Sequence, residues 1–226
     1  MRAGAACALV GAMRNTVLAV VLSGCCFTPA SPPTSTSPVT TVAPTPSDPA
    51  APACPDLATN IIGIWSSASL VEEYRPDGVY VINGTAGTYR FTSPGHVVLD
   101  EPTTGLHGEW DVGVADASTL VGIDARGAAL VYTRTSPAPA IPASCLDLSS
   151  SFARTWNPRP GGPPEVYGAD GTYRVVGAGR WTFTAPGRLL LTRDDGMTTD
   201  YVVAMPSATT MLAVRAGQGV AYDAAP

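Results

Sequence analysis

From residue 61 onward, short apolar runs alternate with Gly, Pro and Asp-Gly punctuation. The runs are rich in Val, Tyr, Phe and Thr, and none carries a helical stripe of useful length. In the first half of this region the pattern predicts strands over 61–66, 78–82, 87–92, 96–99, 108–114, 119–123 and 129–134. Tyr89 and Phe91 fall on one face of their strand, as do Trp181 and Phe183 further along. Asp77-Gly78 and Asp170-Gly171 suit tight turns that need a positive φ. Pro94-Gly95 and Pro186-Gly187 suit type II turns.

The pattern occurs twice. Cys54-Pro55-Asp56-Leu57 corresponds to Cys145-Leu146-Asp147-Leu148, and Trp65 to Trp156 at the same offset. The Asp-Gly turns then align, followed by Gly87-Thr88-Tyr89-Arg90-Phe91-Thr92 with Gly179-Arg180-Trp181-Thr182-Phe183-Thr184. Trp110-Asp111-Val112 matches Tyr201-Val202-Val203, and Tyr132 matches Tyr222. Small drifts in the offset place insertions in turns. We therefore expect an all-β protein of two duplicated antiparallel units, residues 54–136 and 145–226, packed with pseudo-twofold symmetry. Pro137, Pro139 and Pro142 make a short stiff crossing between them.

Ahead of the repeats the pattern changes. Arg14 precedes the apolar run Val17 to Leu22, which is too short to span a bilayer and reads as a signal peptide. The run ends Leu22-Ser23-Gly24-Cys25, which resembles the bacterial lipobox. That resemblance implies a signal over 1–24 and a lipid, palmitate among its acyl chains, on Cys25. Residues 25–53 are then the anchor followed by a Pro/Thr/Ser-rich linker, a composition that cannot build a core. The expected location is extracytoplasmic, at the cell membrane. Outside the cytoplasm cysteines can oxidise. Cys7 is either removed with the signal or, with a start at Met13, never translated; Cys25 is taken by the lipid and Cys26 lies beside it. Cys54 and Cys145 occupy the same place in each repeat and are predicted to form a disulfide.

Composition narrows the function. Net charge is −5, all thirteen basic residues are arginine, and no basic cluster is present. Nucleic-acid binding through phosphates is not expected. The two histidines, His96 and His107, have no partner at metal-ligand spacing, so neither metal nor cofactor is expected. Glu72-Glu73 and Asp194-Asp195 read as solvated acidic pairs in loops. No nucleophile elbow, phosphate loop or zinc-hydrolase motif occurs.

Gly63-Ile64-Trp65 resembles the Gly-x-Trp signature of the lipocalin-like, or calycin, β-barrels. Arg134, closing the last strand, resembles their arginine that packs across that tryptophan. The resemblance implies a lipocalin-like barrel or sandwich in each repeat and structural roles for Gly63, Trp65, Arg134 and Trp156. In the second repeat Arg154 stands at the position of Gly63, and the last strand ends Tyr222-Asp223, which takes away the closing arginine there. Family members often hold small apolar molecules. The expectation is a non-enzymatic envelope lipoprotein that binds a small apolar ligand or another envelope component. The alternatives are a structural or inhibitor-like protein acting through its loops, and a hydrolase whose site has no sequence motif. Trp65, Trp110, Trp156 and Trp181 are expected in the core or at its rim.

Overall fold

The computed structural model describes residues 54, 56–103, 105–159, 161–175 and 177–226. The expected signal peptide, Cys25 and the linker lie outside the described residues. Both repeats belong to one compact unit.

In the first repeat the one-turn helix α1 (Leu57–Asn60) leads into β1 (Gly63–Ser66), β2 (Val71–Tyr74), β3 (Val79–Ile82), β4 (Thr85–Ser93), β5 (His96–Glu101), β6 (Leu106–Asp116), β7 (Thr119–Asp124) and β8 (Ala129–Arg134). Each strand pairs antiparallel with the next. β8 returns to β1, with Trp65 opposite Arg134, and closes an eight-stranded barrel. Closure removes the unpaired edges that an open sheet would expose. Two further one-turn helices, α2 (Ala143–Leu146) and α3 (Ser149–Phe152), then precede the second barrel. It runs through β9 (Thr155–Pro158), β10 (Glu165–Tyr167), β11 (Thr172–Arg174), β12 (Ala178–Ala185), β13 (Arg188–Arg193), β14 (Thr198–Ser207), β15 (Thr210–Arg215) and β16 (Gln218–Ala224). Here β16 returns to β9, with Trp156 opposite Ala224.

The duplication extends to irregularities. Register shifts fall at Phe91/Ser93 and Val114/Asp116 in the first barrel. The second has them at the matching Phe183/Ala185 and Ala204/Ser207. Such bulges bend a strand and sharpen its twist, which a closed barrel needs at its corners. Gly78 and Gly171 turn the chain at φ +81° and +79°, conformations that a side chain would resist.

The sequence reading missed β2. It placed Glu72-Glu73 in a loop because an acidic pair has low strand propensity. In the structure β2 alternates outward and inward, with Val71 exposed and Glu72 and Tyr74 buried. His96 begins β5, where the strand over 96–99 was expected after the Pro94-Gly95 turn.

One end of each barrel is plugged. Ile61 just after α1, and Phe152 at the end of α3, are fully buried. Their carbonyls accept the indole N–H of Trp65 at 2.7 Å and of Trp156 at 2.9 Å. Each tryptophan is thereby tied four residues back, and its ring forms the floor of the barrel.

The barrels pack outer face to outer face. Val121, Ile123 and Ala115 from the first meet Val202, Leu212 and Val214 from the second in a third apolar core. This explains why β7 and β15 are each buried at five consecutive positions: one face looks inward, the other toward the neighbouring barrel. The contact is reciprocal, as a pseudo-twofold requires. A Cβ on Gly95 would come within 2.6 Å of Pro206, and one on the matching Gly187 within 2.7 Å of Ala115. Ala129 N–H donates to Gly217 O at 3.0 Å, and Gly219 N–H to Gly127 O at 2.9 Å. Cys54 and Cys145 are disulfide-bonded, with Cα atoms 5.5 Å apart.

Candidate functional site: the two barrel interiors

Strand alternation sends every second side chain inward. On β2 this brings Glu72 and Tyr74 to one face, beside Trp65, the cross-strand neighbour of Glu72. Tyr132 reaches across from β8. Its hydroxyl donates to Glu72 Oε1 at 2.8 Å, and that of Tyr74 donates to Oε2 at 2.8 Å. The second barrel repeats the arrangement. Tyr167 Oη donates to Glu165 Oε2 at 2.7 Å, and Tyr222 Oη to Glu165 Oε1 at 3.0 Å. Glu165 again lies opposite the floor tryptophan, Trp156.

Each carboxylate lines a cavity above the plug. The first cavity has a volume of about 130 Å³, and Tyr74, Tyr80, Trp110 and Tyr132 form its aromatic wall. The second has about 260 Å³, with Tyr167, Tyr173, Tyr201 and Tyr222 at the matching positions. The difference in size follows partly from Trp110 and Ile82 facing Tyr201 and Val175 at the equivalent places. In both barrels the two tyrosines nearest in sequence lie nearly parallel, Tyr74 and Tyr80 at 28° and Tyr167 and Tyr173 at 25°.

Electrostatics separate the two sites. Glu72 is buried, and desolvation raises its pKa despite the hydrogen bonds from Tyr132 and Tyr74, which lower it. Burial, with the charge of Glu72, holds Tyr74 and Tyr132 protonated well above the usual phenol range. Burial and Glu165 do the same for Tyr167 and Tyr222. All four hydroxyls are therefore fixed as donors to the carboxylates. Glu165 is half-buried. Tyr80 Oη is buried in the first barrel with no hydrogen-bond partner among the described residues. Arg193 stands at the second cavity, half-exposed and paired with Asp195 at 3.0 Å.

The closing seam corrects the sequence expectation. Arg134 is buried, stacks 4.0 Å from the centroid of Trp65 and donates to Ile62 O at 2.7 Å and Ala117 O at 3.1 Å. A Cβ on Gly63 would come within 2.5 Å of its guanidinium, so glycine there makes room for arginine. In the second barrel the exchange is reversed. Ala224 takes the place of Arg134, and Arg154, at the place of Gly63, lies 5.5 Å from the Trp156 centroid. Its Nη1 donates to Ala208 O at 2.8 Å, the carbonyl matching Ala117. The closing cation is thus kept, but comes from the opposite strand of the seam.

The other candidates lie elsewhere. Trp181 packs 5.0 Å from Phe152 and donates to Gly168 O. His96 Nδ1 lies 3.1 Å from Asp111 Oδ1, and His107 Nδ1 lies 2.6 Å from Asp100 Oδ1. Among the described residues no group of three His, Cys, Asp or Glu side chains is placed to hold a metal ion. Asp194 and Asp195 occupy the turn after β13. The sequence reading did not find the Glu-Tyr-Tyr sets. The signal was a Glu-x-Tyr shared by Glu72-Glu73-Tyr74 and Glu165-Val166-Tyr167, masked because the offset shifts by two residues after the tryptophan.

The architecture is that of a duplicated pair of calycin-like barrels, compatible with holding a small molecule or contacting a protein. No family model matches the chain, and no curated protein or solved structure shows significant similarity to it.

Proposed function

We propose that this chain is a non-enzymatic protein of the bacterial envelope, tethered by lipid on Cys25, that holds a small molecule inside its barrels. The observation that carries the reading is the pair of interior cavities, each walled by aromatics and each ending on one fixed carboxylate. Pockets of this kind, mostly apolar with a few placed polar groups, are the usual form of small-molecule sites. The buried Tyr80 hydroxyl, without a partner among the described residues, supports it, because such an atom costs free energy that a ligand acceptor would recover. The disulfide supports an oxidising compartment. Among the described residues no helix is long and apolar enough to cross a membrane, and a lipid on Cys25 would supply the attachment.

Ala213 lines the second cavity, and Ala213→Trp fills it. Organic extracts of the wild-type protein, purified from its own envelope, should contain a small molecule by mass spectrometry that the variant lacks. Equal extracts from both proteins reject the second barrel as the site. For the tether, Cys25→Ser should move the protein from the membrane to the soluble fraction. An unlipidated wild-type mass by intact mass spectrometry rejects that part.

A further inference from the structure

The two repeats have diverged where divergence is harmless and matched where it is costly. The seam arginine has changed strands, from Arg134 to Arg154. The interior set of one carboxylate and four aromatic rings has not changed in kind. A barrel that needed only to close would be served by an apolar residue at this place, since burying a carboxylate is unfavourable.

In the second barrel the carboxylate is better placed to act on a ligand. Glu165 is half-buried where Glu72 is buried, and its cavity has about twice the volume. Tyr167 and Tyr222 take one lone pair from each oxygen, and each oxygen has another to give. Tyr167, Tyr173, Tyr201 and Tyr222 line the same space. A carboxylate among aromatic rings attracts a cation and repels an anion. The guanidinium of Arg193 is offset at the rim by Asp195. The volume of about 260 Å³ exceeds that of an apolar cavity able to take benzene, roughly 150 Å³.

We propose that the interior of the second barrel binds a compact organic ammonium ion, with Glu165 as counter-charge and Tyr167, Tyr173, Tyr201 and Tyr222 as its walls. The inference rests on the reading that the barrel interiors hold small molecules, and it names the class.

Choline and neohexyl alcohol, in which carbon replaces the quaternary nitrogen, separate the two. Each is titrated calorimetrically into the full-length protein. Choline should bind at least about tenfold tighter than the alcohol. Glu165→Gln should abolish that preference. Among the described residues the Tyr201 hydroxyl makes no hydrogen bond that Leu would break, so Tyr201→Leu should weaken choline by about tenfold and leave the alcohol bound. Should Glu165→Gln fail to fold, the wild-type comparison and Tyr201→Leu decide. Equal binding of both probes overturns the ammonium and leaves the small-molecule reading standing. A choline preference that survives both substitutions also overturns it, because the cation then sits elsewhere. Binding of neither probe overturns the ammonium, and failure of the extraction experiment as well rejects the second barrel as a small-molecule site.

Discussion

Glu72 sits in an environment that its charged form disfavours. A carboxylate in the wall of an apolar barrel is held by two tyrosine hydroxyls, and desolvation still prevails, raising its pKa above the ordinary 4.5. The folded protein thus binds this proton more tightly than the unfolded chain does. It follows that the contribution of Glu72 to stability is fullest below the ordinary carboxyl range and is lost as pH rises through the raised value. Glu72→Gln keeps the shape and hydrogen-bonding capacity without the charge. Denaturant unfolding of both proteins between about pH 4 and pH 8 should show the variant gaining on the wild type as pH rises. Each pH unit in which Glu72 is ionised only in the unfolded chain shifts the difference by about 1.4 kcal/mol. A difference that runs the opposite way would mean that the folded barrel stabilises the charged form.

At the level of elements, local turn chemistry made most strands legible. Asp77-Gly78 and Asp170-Gly171 marked turns that the structure places at positive φ. The Pro-Gly pairs marked the β4–β5 and β12–β13 connections. What stayed hidden was whatever depended on a partner distant in sequence. β2 reads as an acidic loop until Glu72 meets Tyr132, sixty residues on. The second seam reads as broken until Arg154 is seen to replace an arginine that the first barrel supplies from β8. The duplication and the Cys54–Cys145 pair pointed to barrel-to-barrel packing, and β7 and β15 carry it, each buried on both faces. The interior sites were the least legible for the same reason. Glutamate and tyrosine are common singly, and closure of the barrel is what assembles them.

For the whole molecule, the barrels are held by an apolar interface of small and branched side chains, with backbone hydrogen bonds beside it, and by one covalent bond ahead of the first strand of each unit. They act on different states. The interface removes apolar surface from water in the folded protein. The disulfide, joining residues 91 apart, mainly restricts the unfolded chain. Deleting the bond should therefore leave the fold intact while lowering its stability. The variant to use is the double Cys54→Ser, Cys145→Ser, because a single change leaves a thiol able to pair with Cys26. Its far-ultraviolet circular dichroism should match the wild type, and its unfolding free energy should fall by about 4 kcal/mol. Denaturant melts at equal m-value measure this directly. An unchanged midpoint would show that the unfolded chain is already compact enough for the crosslink to add nothing. A change in m-value with loss of cooperativity would show instead that the bond, and not the apolar interface, makes the two barrels unfold as one.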